Sequence, residues 1–133
     1  MKKLLILIGI ISLASFSGCK KESLSNQLVG TWEVRSKVGG YMIQPPYPPG
    51  NGNLLKFTDT NYQLFINGKL EKTGTYSIVK DNNSWDGAGD DRIVFDNNFN
   101  SYKEFVKMKG NSMTLYSMTH IAFDGLETNY KRQ

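Results

Sequence analysis

The sequence predicts an all-β domain, an eight-stranded antiparallel barrel of up-and-down meander topology. From Gly30 onward, apolar and polar residues alternate with period two, which is typical of half-buried strands. Tight-turn pairs such as Asn67-Gly68 and Gly110-Asn111 separate the runs, and no long segment has a helical period. Closure removes exposed sheet edges, so the short sequential hairpins favour a barrel over the alternative, a β-sandwich.

The first strand begins at Gly30 and defines the inside of the barrel. Trp32, Val34, Ser36 and Val38 share one face, and the charged or polar residues between them share the other. Because alternate side chains of a strand point to opposite faces, we expect the Trp32 face to be buried.

Seven further strands are predicted at 53–58, 61–67, 70–80, 92–96, 102–109, 112–118 and 126–132. An eight-stranded barrel is just wide enough to fill itself with side chains or to hold one small ligand, and the sequence leaves both open. Alternation places the following apolar residues inside: Val34, Val38, Leu55, Phe57, Leu64, Ile66, Tyr76, Ile78, Phe95, Val106, Met108, Leu115 and Tyr130.

The first nineteen residues have the layout of a secretory signal. Met1-Lys2-Lys3 is positive, Leu4 to Phe16 is mostly apolar, and Ser17-Gly18 precedes Cys19. The alternative, a membrane-spanning helix, needs about 20 predominantly apolar residues, and this run is too short. We therefore expect residues 1–18 to be a removed signal peptide.

Phe16-Ser17-Gly18-Cys19 resembles the lipobox of bacterial lipoproteins, although Phe16 departs from the usual leucine. The resemblance implies cleavage before Cys19 and lipidation of its thiol, which accounts for a lone cysteine in an exported chain. It implies residues 19–28 as lipidated cysteine and tether, residues 29–133 as the barrel domain, and a membrane partner. We expect a cell-envelope location, at the outer membrane, with the membrane face left open.

Size and charge limit the mature domain further. Removal of residues 1–18 leaves about 115 residues, which is one domain, and lowers the formal net charge from +4 to about +2. So small an excess does not indicate nucleic-acid binding, which needs a basic patch. The sequence predicts no nucleic-acid partner, and a protein partner is left open.

Gly30-Thr31-Trp32 opens the first strand and resembles the Gly-x-Trp motif of lipocalins. In that family an arginine of the last strand lies across the tryptophan at the closed end of the barrel, and Arg132 is in phase for this role. The usual C-terminal helix is not expected after the last predicted strand. The chain resembles small lipocalin-like lipoproteins of Bacteroidetes, and the resemblance implies a lipocalin-like barrel with Trp32 and Arg132 as its closing pair.

The first loop, residues 39–52, then lies at the open end, where lipocalins place a lid. Four prolines stiffen it towards polyproline II, and its tyrosines offer aromatic surface. It is interpreted either as a lid or partner-binding loop, or as a solvated loop with its aromatic residues on the rim. This loop and the inward-facing strand residues together supply the candidate ligand-binding residues, which are Tyr41, Tyr47, Phe57, Leu64, Ile66, Tyr76, Glu104 and Met108.

Glu104 is the one acidic residue in that candidate set. It shares a face with Val106 and Met108, so an inward face would bury its carboxylate and require a partner. The partner is either a cationic ligand group or an arginine, Arg92 or Arg132. We favour the internal pair.

No catalytic residue, metal site or cofactor is predicted, and we do not expect an enzyme. His120 is the sole histidine and is interpreted as an exposed loop residue, and no Gly-x-Ser-x-Gly elbow occurs. The acidic loop 81–91 partly matches a calcium-binding pattern, but Ile93 stands where that pattern needs glutamate, so a solvated turn is favoured.

Two functions remain open from the sequence. The first is a lipid-anchored envelope protein that holds a small apolar ligand in its barrel. The alternative is a filled-core interaction or structural lipoprotein that acts through the proline-rich loop and binds no small molecule. An interior volume of about 300 Å³ or more would favour the first.

Overall fold

The computed structural model describes residues 23–39, 44–81, 90–117 and 125–133. They form one short helix and a closed antiparallel barrel in which each strand pairs with the next and β8 pairs with β1. The predicted barrel is confirmed. The elements are α1 (Leu24–Leu28), β1 (Gly30–Val38), β2 (Leu54–Phe57), β3 (Asn61–Ile66), β4 (Lys69–Asp81), β5 (Asp90–Phe95), β6 (Glu104–Lys109), β7 (Ser112–Ser117) and β8 (Glu127–Arg132).

Pairing of the first and last strands closes the sheet. Trp32 lies opposite Leu55 of β2 on one side and opposite Arg132 of β8 on the other. A sandwich would leave β1 and β8 on separate edges, so the alternative fold is wrong. We call the end that carries Trp32 and α1 the closed end, and the end that carries the β1–β2 connection the open end.

The Asn67-Gly68 turn joins β3 to β4 as predicted. Ile66 pairs with Lys69, so the loop has two residues. Both have positive φ, 51° for Asn67 and 78° for Gly68, which is the signature of a type I′ hairpin turn.

A β-bulge at Arg35 changes which residues in the second half of β1 point inward, so the predicted alternation is wrong there. Val34 lies opposite Tyr130, but Ser36 lies opposite Asn129, so Arg35 is an extra residue and the inward face shifts by one position. Lys37 therefore lies opposite the buried Thr128 and points inward. The prediction that Val38 lines the interior is wrong, since this residue lies on the outer face and is 52% exposed.

Segment 44–53 is hydrogen-bonded to the backbone of β1 beside this bulge. The Tyr47 amide donates to the Arg35 carbonyl at 2.8 Å, and Asn51 Nδ2 donates to the Val34 carbonyl at 2.9 Å. The Arg35 guanidinium is 2.6 Å from the buried carboxylate of Glu33. These bonds hold the proline-rich connection against β1 and position Tyr47 at the open end.

The β5–β6 connection folds back towards β5 before β6 begins at Glu104, two residues later than predicted. Asp96 and Asn97 have φ of 54° and 55°, a left-handed conformation that Asp and Asn tolerate better than most residues. The Arg92 guanidinium donates to the Phe99 carbonyl at 2.9 Å and so ties this connection to the outer face of β5.

Part of the predicted tether belongs to the folded domain. Ser23 caps α1, its hydroxyl accepting from the Asn26 amide, and Leu28 at the end of the helix is fully buried. Five residues are too few to show a helical period. The helix adds one residue to an otherwise strand-built core: Leu28, Trp32, Val34, Leu55, Phe57, Tyr62, Tyr76, Ile93, Val106, Met113, Leu115 and Tyr130.

Candidate ligand-binding site

Arg132 and Trp32 seal the closed end. The guanidinium carbon lies 4.2 Å from the Trp32 ring centroid, within cation–π range, so the contact implied by the Gly-x-Trp resemblance is present. Arg132 also donates to the carbonyls of Val29 (2.7 Å) and Gln27 (2.5 Å), and the indole N–H donates to the Leu28 carbonyl at 2.7 Å. The charged group of Arg132 therefore interacts with α1 and with Val29, the residue that follows this helix.

Gly30 makes room for that arginine. Its φ is 140°, and a Cβ atom there would lie 2.6 Å from Arg132 Nη1. The glycine of Gly-Thr-Trp is therefore favoured by its backbone conformation, and a side chain there would also displace the guanidinium from its present position.

Glu104 lies in the barrel interior near the open end. It is opposite Ile93 of β5, which belongs to the core, and opposite Ser117 of β7. Its partly buried carboxylate makes no hydrogen bond or ion pair with any described residue. Burial alone raises the pKa of the Glu104 carboxyl.

The expected pairing of Glu104 with an arginine is wrong. Arg92 neighbours the inward Ile93 and so points outward, where it bonds to Phe99. Arg132 stacks on Trp32 at the other end of the barrel. Neither guanidinium compensates the carboxylate.

Two hydroxyl groups of β8 accompany Glu104 in the interior. Thr128 and Tyr130 are 8% and 9% exposed, and their pairing with Leu115 and Met113 places both side chains inward. Neither hydroxyl has a hydrogen-bond partner among the described residues, yet neither is sealed from open space. Burial, and then the nearby charge of Glu104, raises the pKa of Tyr130. The interior thus offers one carboxylate and two hydroxyls without partners.

Lys37 and Tyr47 lie at the open end of this interior. The bulge turns Lys37 inward, and its Nζ is 5.9 Å from the Tyr47 ring centroid. Tyr47 packs against the core and donates its hydroxyl to Gln44 Oε1 at 2.7 Å. Lys37 makes no ion pair with a described acid, and simple alternation had placed it outside. Only a recognisable bulge signal in the sequence could have identified it.

Three predicted ligand-binding residues belong to the filled part of the interior. The Phe57 ring lies 4.7 Å from the Tyr76 ring and 6.4 Å from that of Phe95. Tyr76 donates its hydroxyl to the Thr58 carbonyl at 2.8 Å, so its polar atom is satisfied within the protein. Leu64 is partly buried and packs against the same core. These residues hold the barrel together.

The rest of the predicted set is dispersed. Ile66 is at the last position of β3 and is 44% exposed, so it is a rim residue and not a buried interior one. Tyr41, like Cys19, His120 and most of loop 81–91, lies outside the described residues. Met108 borders a separate cleft at the closed end.

That cleft opens where β5 and β6 separate. Among the described residues these strands share only two pairs, whereas the other neighbouring strands share four to six. Its volume is about 920 Å³, within the range of small-molecule sites. It is bordered by Ser23, Leu24, Gln27, Lys80, Asp90, Asp91, Val106, Lys107, Met108, Lys109, Ser112 and Thr114.

A cluster of polar side chains on β3, β4 and the turn after β5 is held together by hydrogen bonds among its own members. Asp96 accepts from Lys72 Nζ at 2.7 Å and from the Tyr62 hydroxyl at 3.0 Å. Hydrogen bonding to Lys72 lowers the pKa of Asp96, although partial desolvation opposes it. Because each charge has a partner, this cluster is a structural tie between β4 and the turn.

The described ranges contain no helix long and apolar enough to cross a membrane. They also contain no group of three His, Cys, Asp or Glu side chains that could hold a metal ion. Comparisons of the chain with protein-family models, with curated proteins and with solved structures found no match.

Proposed function

We propose that this chain is a lipid-anchored protein of the cell envelope whose barrel holds a small molecule with an apolar body and a cationic group. The observation that carries the proposal is the carboxylate of Glu104, which has no partner among the described residues and shares a mostly apolar interior with the unpartnered hydroxyls of Thr128 and Tyr130. A few convergent polar groups within an apolar pocket are typical of small-molecule sites.

The negative charge of Glu104 favours a cation as the group of the ligand that contacts it. A partly buried, unpaired carboxylate is destabilised relative to water, as its raised pKa indicates. An ammonium group would compensate the charge, and a hydrogen bond to a charged group contributes about 1.5–3 kcal/mol. The apolar body would contact Ile93 and Leu115, which line the same interior.

Replacing Glu104 with glutamine is expected to weaken binding of an apolar amine. We expect 1-naphthylmethylamine to bind the native protein and to bind Glu104→Gln about 10- to 100-fold more weakly, because one charged hydrogen bond is lost. The neutral analogue 1-naphthylmethanol should change by less than about threefold, since it makes no charged hydrogen bond. Naphthalene fluorescence at constant ionic strength measures both dissociation constants.

The pH dependence supplies a second readout of the same contact. Glu104 is neutral below its raised pKa and ionised above it, so binding of the amine should strengthen as pH rises through that pKa. The profile should flatten in Glu104→Gln and persist in Glu71→Gln, a matched control that removes an exposed carboxylate of β4. Equal loss of binding in the two variants would contradict a role for Glu104.

Replacing Cys19 with serine tests the anchor. The lone cysteine after an apolar segment motivates lipidation, and serine offers no thiol for the diacylglyceryl group. We expect incorporation of radioactive palmitate to disappear and the product to be soluble or uncleaved. Undiminished labelling of Cys19→Ser would refute lipidation at this residue.

The alternative function is a protein interaction through the proline-rich loop. Pro45, Pro46, Pro48 and Pro49 are all exposed, while much of the interior is filled by side chains. Failure of the native barrel to bind either naphthalene probe would favour this function over ligand carriage.

A further inference from the structure

The cleft between α1 and β6 has an apolar floor. Val106 and Met108 are inward-facing residues of β6 that border the cleft beside the gap between β5 and β6. Val106 is almost fully buried, so most of the accessible apolar surface belongs to the half-buried Met108. Leu24 of α1 adds a third apolar side chain. The floor is thus part of the barrel interior, reached through a gap in its wall.

The rim of the cleft is charged, and its two acids are already engaged. Asp91 pairs with Lys80 at 2.7 Å, and Asp90 accepts from the Tyr116 hydroxyl at 2.6 Å. Lys107 and Lys109 make no ion pair with a described acid. Lys107 lies only over the Tyr116 ring, at 4.8 Å from its centroid. The neutral Tyr116 hydroxyl does not compensate the charge of Asp90, so Lys107 and Lys109 together exceed that carboxylate by one charge and the rim is net positive.

The cleft also lies close to the predicted point of attachment. Ser23, the N-cap of α1, borders the cleft and is separated from Cys19 by only three residues. Four residue steps span at most about 14 Å even when fully extended. A lipid on Cys19 would therefore hold this end of the barrel next to the bilayer surface.

From these three features we propose that the cleft binds an anionic lipid of the membrane that carries the anchor. One acyl chain would lie on Val106, Met108 and Leu24, and the anionic head group would contact Lys107 and Lys109. This inference rests on the lipid anchor of the proposed function, and it is independent of the Glu104 site at the other end. A membrane lipid would thus occupy the cleft, and the soluble ligand would occupy the open end of the barrel.

Photocrosslinking tests the occupant directly. The lipidated chain is reconstituted in phosphatidylcholine vesicles that carry a trace of phosphatidylglycerol with a diazirine on its acyl chain. After irradiation, mass spectrometry should locate the adducts on β6 and α1. A phosphatidylcholine analogue with the same diazirine should label these elements far less.

Two charge-matched variants identify the head-group contact. Lys107→Gln with Lys109→Gln should reduce the adduct about tenfold or more, because each lysine near an anionic lipid contributes roughly 1 kcal/mol. Lys56→Gln with Lys69→Gln removes two exposed lysines away from the cleft and should leave the adduct unchanged. All four positions are exposed, so neither variant should affect folding.

Each other result overturns the inference. Equal labelling by the two lipids, equal labelling of the two variants, or adducts only outside β6 and α1 would each contradict selective binding of an anionic lipid in the cleft. Flotation with the vesicles before irradiation is scored separately. A chain that does not float overturns the anchor and this inference together, whereas a floating chain without the adduct overturns only the inference.

Discussion

Replacing Trp32 with alanine is expected to cost about 3–5 kcal/mol of the free energy of unfolding, as for other buried tryptophans. Trp32 is fully buried at the closed end, where it contacts Arg132 and donates to the Leu28 carbonyl. The loss is a large share of the roughly 5–15 kcal/mol that stabilises a domain. Urea unfolding followed by circular dichroism measures it.

The same experiment extended to Arg132 tests whether the two residues act together. Arg132→Ala should cost less than Trp32→Ala, but more than loss of a surface charge, because it also removes the hydrogen bonds that Arg132 donates to the carbonyls of Val29 and Gln27. A double-mutant cycle should give a coupling of about 0.5–2 kcal/mol, the range of a cation–π contact. Zero coupling would contradict the stack and the closure that it reports.

Replacing Gly39 with alanine is expected to cost about 3 kcal/mol or more, because a strained backbone conformation and a steric clash add together. Gly39 follows β1 with φ of 127°, a region that residues with a side chain rarely adopt. A Cβ atom there would overlap the carbonyl oxygen of Gly125 and approach Leu126 Cα to 2.9 Å. Both neighbours are backbone atoms, so the chain must separate β1 from β8 at the open end to relieve the clash.

Gly110→Ala is the matched control for that variant. Gly110 also has positive φ, 57°, but a Cβ atom there would meet nothing within 4 Å. The control should cost only about 1–2 kcal/mol, the penalty of the left-handed conformation. Urea midpoints compare the two variants, and equal costs would show that the approach of Gly39 to Gly125 does not constrain the barrel.

The fold could be predicted because its determinants are local. Alternation identified the inward faces of β1 and β8, since period two continues unbroken from Gly30 to Val34 and along the whole of β8. The pairing of Trp32 with Arg132 came from the Gly-x-Trp resemblance together with this phase. Asn67-Gly68 fixed a hairpin because two positive φ angles select those residue types. Such features need no knowledge of distant contacts.

The failures have equally definite causes. Because Arg35 is an extra residue in β1, Lys37 points inward and Val38 points outward, the reverse of the prediction. The alternation of apolar and polar residues does not reveal this extra residue. The partner predicted for Glu104 could have been rejected in part from sequence, because an inward Ile93 forces Arg92 outward. The cleft could not be predicted, since it depends on how far β5 and β6 separate in three dimensions.

Because the β5–β6 ladder is short, the barrel wall is held together less strongly there than between its other neighbouring strands. Among the described residues only two pairs join these strands, so local unfolding that separates them breaks fewer of the described backbone hydrogen bonds than a comparable opening between any other neighbouring strands. Such an opening would widen the connection between the interior and solvent through the wall while the other ladders stay intact. The β5–β6 edge is therefore the place where the barrel wall is expected to open first during local unfolding.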